Sequence, residues 1–323
     1  MARVLAFPLL FALVVACAAA QPLPGSAAAR TPAHAVGDGL ALFQPGVWID
    51  WPRREVQVQT RVVLRSGALE FLACWPGKEH ESIVRFEPPA AHVYQALGLV
   101  GLVPGHPPVF DPPTGRVDPP AGDLIEISFR WEQDGQARSV NAFEWLYEQE
   151  YGRPPLPRPW IFAGSLRMPD GTLSSDSSGV GIAVVDFPDS LICYSRRYSS
   201  RNSELWAMAN TAAIPPQDTP VRLVLRPAQP RPRQAVLDFR GAVWVDGRYC
   251  PVADLADIVT LAIRLEPAYV QTLDVRGALR SDERRLRREL DAAHLPARAV
   301  HFAHSGPADQ TATRPPGAPP SGD

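Results

Sequence analysis

Polar and apolar side chains alternate along residues 54–64, from Arg54-Glu55-Val56-Gln57-Val58 onward, the period-2 pattern of a half-buried strand. A second strand is predicted over 68–74, after a turn at Ser66-Gly67, and a third over Ser82–Phe86. Val93, Leu97 and Val100 then recur at helical spacing, which predicts a helix over 90–102 ended by Pro104-Gly105. Residues 123–131 and 136–140 form a hairpin pattern around Asp134-Gly135. Asn141 is placed to cap a short helix bearing Phe143, Trp145 and Leu146. Further strands are predicted over 160–166, 179–187 and 190–194. The mixture predicts an α+β domain with a largely antiparallel sheet, spanning 40–211.

A change of rhythm follows. Residues 212–220, with Pro215-Pro216, read as a linker, and the Pro-rich patch 227–232 as a loop. Strands are predicted over 221–225 and 235–239, then a short strand Val243–Val245 running into a turn at Asp246-Gly247. A helix is expected at Val252–Leu265, a strand at 269–275, a helix capped by Ser281 and running to about 293, and a closing strand at 297–302. This order predicts a small α/β sandwich over 221–304. The run Arg284-Arg285-Leu286-Arg287-Arg288, flanked by Glu283 and Glu289, reads as a solvated helix face.

The ends of the chain set the expected compartment. Arg3 precedes an apolar run over 4–16, too short to span a bilayer and typical of an export signal over 1–20. Val14-Val15-Ala16-Cys17 resembles a lipobox, which would make Cys17 a lipidation site; Ala18-Ala19-Ala20 is the competing, ordinary cleavage site. Residues 21–39 and 305–323 are rich in Ala, Pro and Gly and read as a flexible tether and a disordered tail. The expectation is an exported protein of the periplasm, or a lipoprotein anchored at the outer membrane, touching the membrane only through Cys17. The formal net charge of -2 and pI near 6.4 argue against nucleic acid as a partner. Apart from Cys17, three cysteines remain. Their spacing matches no zinc or iron–sulfur site, and Cys74 with Cys193 is the only plausible internal disulfide.

Composition singles out one segment. Lys and Arg total 32, yet Lys78 is the only lysine. It stands in Cys74-Trp75-Pro76-Gly77-Lys78-Glu79-His80-Glu81-Ser82, the densest polar cluster of the chain. A lone lysine among arginines points to a place that needs a compact ammonium. Three chemistries compete for Cys74, Lys78, Glu79, His80, Glu81 and Ser82. Metal ligation is opposed by strand geometry, which points Glu79 and Glu81 one way and His80 the other. The second His that a zinc-protease helix needs is also missing. Proton transfer among Lys78, His80 and a carboxylate lacks an evident companion. Ser165, in Ala163-Gly164-Ser165-Leu166-Arg167, has no nucleophile-elbow glycine after it, and Gly179-Val180-Gly181 lacks the third glycine of a dinucleotide loop. The third reading is a hydrogen-bonded turn, or a ligand-contact loop without chemistry. No metal and no cofactor is implied.

Phe71-Leu72-Ala73-Cys74 followed by Gly77-Lys78-Glu79-His80-Glu81-Ser82 resembles the signature of the YdjY-domain family of exported bacterial proteins. The helix at 94–101, the stretch Trp160-Ile161-Phe162-Ala163-Gly164-Ser165 and the turn Asp186-Phe187-Pro188-Asp189 extend the resemblance over about 45–205. It implies export and a domain of unknown function, with no catalytic residues to carry over. Residues 221–302 are similar in pattern to the periplasmic domain of ExbD-type biopolymer-transport proteins, through Leu237-Asp238-Phe239, Val243-Trp244-Val245-Asp246-Gly247 and the helix after them. That resemblance implies binding or homodimerisation through the C-terminal domain rather than motor coupling, because no membrane helix precedes Val221 here. The chain is therefore expected to be a non-catalytic, lipid-anchored envelope protein that binds another envelope protein or a small polar ligand. The rival expectation is a periplasmic enzyme or metal-binder centred on Lys78, Glu79, His80 and Glu81.

Overall fold

The structure, a computed structural model, describes residues 39–201 and 204–304. The expected signal, Cys17, nearly all of the tether and the tail lie outside the described residues. The first strands are β1 (Leu40–Gln44), β2 (Val47–Asp50), β3 (Glu55–Val62), β4 (Phe71–Cys74) and β5 (Ser82–Phe86), followed by helix α1 (Ala90–Leu99). The hairpin β6 (Leu124–Gln133) and β7 (Gln136–Asn141) comes next, then β8 (Trp160–Phe162) and the short helix α2 (Ser174–Ser178). The last strands of this part are β9 (Val180–Ala183), β10 (Ile192–Cys193) and β11 (Pro220–Pro227).

Pairing runs β3-β11-β6-β8-β10-β9-β4-β5, and β5 pairs back onto β3. Eight strands thus close into a barrel, and closure removes the free edges an open sheet would expose. Most pairings are antiparallel, as expected; β4 with β5 and β9 with β10 are parallel. The core is aromatic. Trp145, Trp160, Phe71, Phe86, Phe129 and Phe143 are fully buried, and Phe129 stacks on Trp145 at 3.9 Å between ring centroids. The alternation of 54–64 puts Val56, Val58 and Val62 at zero exposure. Its polar face is not open to water either: the Glu55 carboxylate is buried and takes two hydrogen bonds from Arg130, at 2.7 and 2.9 Å.

Local signals perform well. Asp134 and Gly135 both have positive φ, 53° and 72°, as a two-residue hairpin turn requires. Asn141 accepts a hydrogen bond from the Phe143 N–H at 3.0 Å and caps a single 3₁₀ turn, Ala142–Trp145.

The expected linker is corrected. β11 lies between β3 and β6, with Val221 opposite Thr60 and Ile127 opposite Leu225, so it is a barrel strand. The stretch 212–220 is the connection that brings the chain back to close the barrel, and Ile214 and Pro215 within it are buried. The second sheet therefore begins after the patch at 227–232. It comprises β12 (Ala235–Leu237), β13 (Val243–Val245), β14 (Arg248–Tyr249), β15 (Gln271–Val275) and β16 (Val300–His304), in the order β14-β13-β12-β15-β16. Helix α3 (Val252–Leu265) buries Leu255, Ile258 and Val259, and α4 (Arg280–Ala292) buries only Leu286 and Leu290. The arginines of α4 are exposed, as expected. Ser281 is not its cap; the N-cap position is Leu279, and no side chain caps it. No helix among the described residues is long and apolar enough to cross a membrane.

The expected disulfide is also corrected. Cys74, Cys193 and Cys250 are free, buried thiols. β9 lies between the strands of Cys74 and Cys193; Cys193 stands beside Ala183, which faces Phe71 rather than Cys74. Two strand spacings are roughly 9–10 Å, beyond the roughly 7 Å that a disulfide spans between Cα atoms.

Candidate functional site

The register of β4 and β5 creates the site. Because the strands run parallel with Phe71 beside Ser82, the residues just before them, Glu70 and Glu81, become neighbours, and the Glu70 N–H donates to the Glu81 carbonyl at 3.1 Å. Only residues 75–81 join the two strands, fewer than the dozen or so usual for a parallel connection. The segment manages this with Gly77 at φ 104° and a 3₁₀ turn, Glu79–Glu81. In a 3₁₀ turn residues three apart eclipse, so Lys78 lies over Glu81. Its Nζ donates to Glu81 Oε1 at 3.0 Å.

The result is an acid–acid–amine network. Burial pushes the Glu70 carboxyl up to about 7, reinforced by the Glu81 charge and by a hydrogen bond to Glu81, and opposed by Lys78. The bond to Glu81 holds the Lys78 ammonium above its ordinary pKa against a smaller cost of burial, and the charges of Glu70 and Asp189 add to the effect. Glycine at position 179 leaves room for the lysine stem. A Cβ at Gly179 would meet Lys78 Cγ and the Pro76 carbonyl at 3.0 Å, and Gly179 has φ 78°, so glycine is required there twice over. Lys78 Nζ also stands 5.8 Å from the centre of the Phe71 ring, which packs on Phe187 at 4.9 Å.

The remaining cluster residues divide. Burial raises the Glu79 carboxyl, but the N–H groups of Glu79 and Gly77 and the Arg85 guanidinium outweigh it and leave the pKa below its ordinary value. His80 is exposed, 3.7 Å from Glu81, and outside the network. Ser82 is buried and donates to the Val84 carbonyl at 3.0 Å. Burial pushes the Cys74 thiol up to about 12, with a Ser82 hydrogen bond opposing, so the sulfur is protonated at neutral pH and a poor nucleophile. Among the described residues no group of three or more His, Cys, Asp and Glu side chains is arranged to hold a metal ion.

Two distant stretches complete the surroundings. Ser165, at φ 63°, donates to the Asp189 carbonyl at 2.9 Å; the Ser175 hydroxyl lies 2.9 Å from Ser165 Oγ and 3.0 Å from that same carbonyl. Ser174 Oγ is 3.0 Å from Ser165 Oγ. This serine cluster fixes the 186–189 turn, whose Asp189 acts on Lys78 and whose Phe187 supports Phe71. Sequence reasoning missed Glu70 and Ser175. The signal for Glu70 was present: it is a lone charge in an otherwise apolar strand pattern, Leu69-Glu70-Phe71-Leu72.

These features define a class: a closed eight-stranded barrel whose short parallel connection carries a part-buried acid–amine network. A family model of the YdjY domain matches residues 47–226, and the chain belongs to that family. The matched region ends with β11, at the last barrel strand. No curated protein and no solved structure matches the chain. The resemblance of 221–302 to the ExbD-type domain finds no support, and its first strand belongs to the barrel instead.

Proposed function

We propose that this is a non-catalytic binding protein of the cell envelope, exported by residues 1–20, held to a membrane by a lipid on Cys17, and built from a YdjY barrel followed by a separate unit over 235–304. The observation that supports binding without chemistry is the state of the cluster. Lys78 is committed to Glu81, Glu81 to Glu70, and Cys74 stays protonated, so no free nucleophile remains there. Two of the stretches that carry the family resemblance, 71–82 and 186–189, meet at this network, and Ser165 of a third, 160–165, holds the 186–189 turn, as a surface shaped for a polar ligand or an envelope protein would require. A second reading, proton transfer, is favoured by one observation, the Glu70 carboxyl poised at about 7.

Mass spectrometry of the mature N-terminus tests the anchor: a lipid-modified Cys17 is expected, and an unmodified terminus at Gln21 overturns it. Replacing Glu70 by Gln separates the two readings in a cellular complementation assay. Binding predicts that E70Q retains function with altered pH dependence, whereas proton transfer predicts outright loss with the fold intact.

A further inference from the structure

A second site lies away from the Lys78 network. A pocket of about 410 Å³ is lined by Glu148, Tyr151, Arg196, Tyr198, Leu205 and Trp206, among others. That volume is within the roughly 300–1,000 Å³ typical of small-molecule sites. Its aromatic wall is fixed. Tyr198 and Trp206 stack at 4.7 Å, both rest on the buried Tyr194, and the Trp206 indole donates to the Val184 carbonyl at 2.9 Å. Arg196 is held too, over the Tyr198 ring at 5.3 Å and hydrogen-bonded to the buried Asp254, which also pairs with Arg158 at 3.3 Å. Glu148 is different. It is buried, its Oε2 accepts no hydrogen bond, and its nearest cation, Arg153 Nη1, is 3.7 Å away. A buried carboxylate oxygen without a donor carries a cost that a ligand hydroxyl would relieve.

We infer that this pocket binds a neutral saccharide ring. The partly exposed Tyr198 and Trp206 rings offer an apolar wall, Arg196 a fixed donor and Glu148 an acceptor in want of a donor. A hydroxylated ring supplies all three complements at once. Glu148 and Glu150 oppose an anion, and Arg196 opposes a simple cation, so the mixed signs select against singly charged ligands. The site shares no residue with the Lys78 network and does not rest on that network's reading.

Calorimetric titration of the full chain with the β-1,4-linked tetramers of glucose and of N-acetylglucosamine tests the inference, with choline and acetate as charged probes. Saturable binding of at least one tetramer is expected, weakened tenfold or more by Glu148→Gln and by Tyr198→Leu, and unchanged by Arg284→Gln on the exposed face of α4. Thermal unfolding verifies that each variant is folded; Arg196→Gln replaces any that is not. No saturable binding of either tetramer, binding indifferent to these variants, or preferential binding of choline or acetate overturns it.

Discussion

At the scale of single residues, Glu70 sets the pH dependence of the fold. Its carboxyl is raised from an ordinary value near 4.5 to about 7, so between those values the folded state holds a proton the unfolded chain has released. The associated stability is fully present below about 4.5 and is lost as pH rises through 7. Thermal unfolding from pH 5 to 8 should show wild-type stability falling by an amount on the order of 1–3 kcal/mol, and Glu70→Gln should flatten that slope and be the more stable protein at pH 8. Parallel pH profiles for the two proteins would remove Glu70 from the network. Lys78 gives a second expectation. Its ammonium donates to Glu81 across a single 3₁₀ turn, a geometry that a longer, planar guanidinium does not reproduce. Lys78→Arg should cost about 1–3 kcal/mol in denaturant unfolding, and an unchanged midpoint would make the lone lysine a compositional accident. Lys78 and Ser82 were legible from composition and motif. Glu70 was not, because its partner is set by strand register, and register between strands is a long-range property.

Elements were legible where the signal was local. The helix at Val252–Leu265, the strand Ser82–Phe86 and the hairpin at Asp134-Gly135 follow from periodicity and turn chemistry alone. Two errors share one cause. Pro215-Pro216 marks a break in local structure, and was read as a break between domains, but β11 beyond it pairs with strands more than 90 residues earlier in sequence. Cys74 and Cys193 sit on strands of one sheet, as expected, but strand order puts β9 between them. Composition cannot report either arrangement. The α2 terminus offers a test at this scale. Gly179 closes that helix in a left-handed conformation, with the Lys78 stem and the Pro76 carbonyl against it. Gly179→Ala should therefore destabilise by about 1–3 kcal/mol, through strained backbone and a displaced lysine together. Combined with Lys78→Ala, which removes the Cγ that the new Cβ would meet, the backbone part of that cost should persist; its disappearance in the double variant would assign the whole effect to the lysine.

The whole molecule turns on where the barrel closes. Ring closure needs all eight strands, and the eighth in sequence, β11, is supplied by Pro220–Pro227. A chain ending at residue 211 would leave β3 and β6 with unpaired edges and would expose Val56, Val58, Ile127 and Phe129, which are now buried. A chain ending at 227 keeps every barrel strand. It loses α3, and with it Asp254, the partner of Arg158, but that arginine then gains access to water. Expressed separately from residue 39, the longer fragment should unfold cooperatively by circular dichroism, less stable than the parent by a few kcal/mol, on the order of the loss expected when a buried charge gives up its partner. The shorter fragment should aggregate or show no cooperative transition. If the fragment ending at 211 unfolds cooperatively, β11 is dispensable and the barrel is not the folding unit. If neither fragment folds, the barrel and the sheet over 235–304 are a single cooperative structure, and the small apolar cluster that joins them through Leu124, Ile161, Ala228 and Leu261 is indispensable to both.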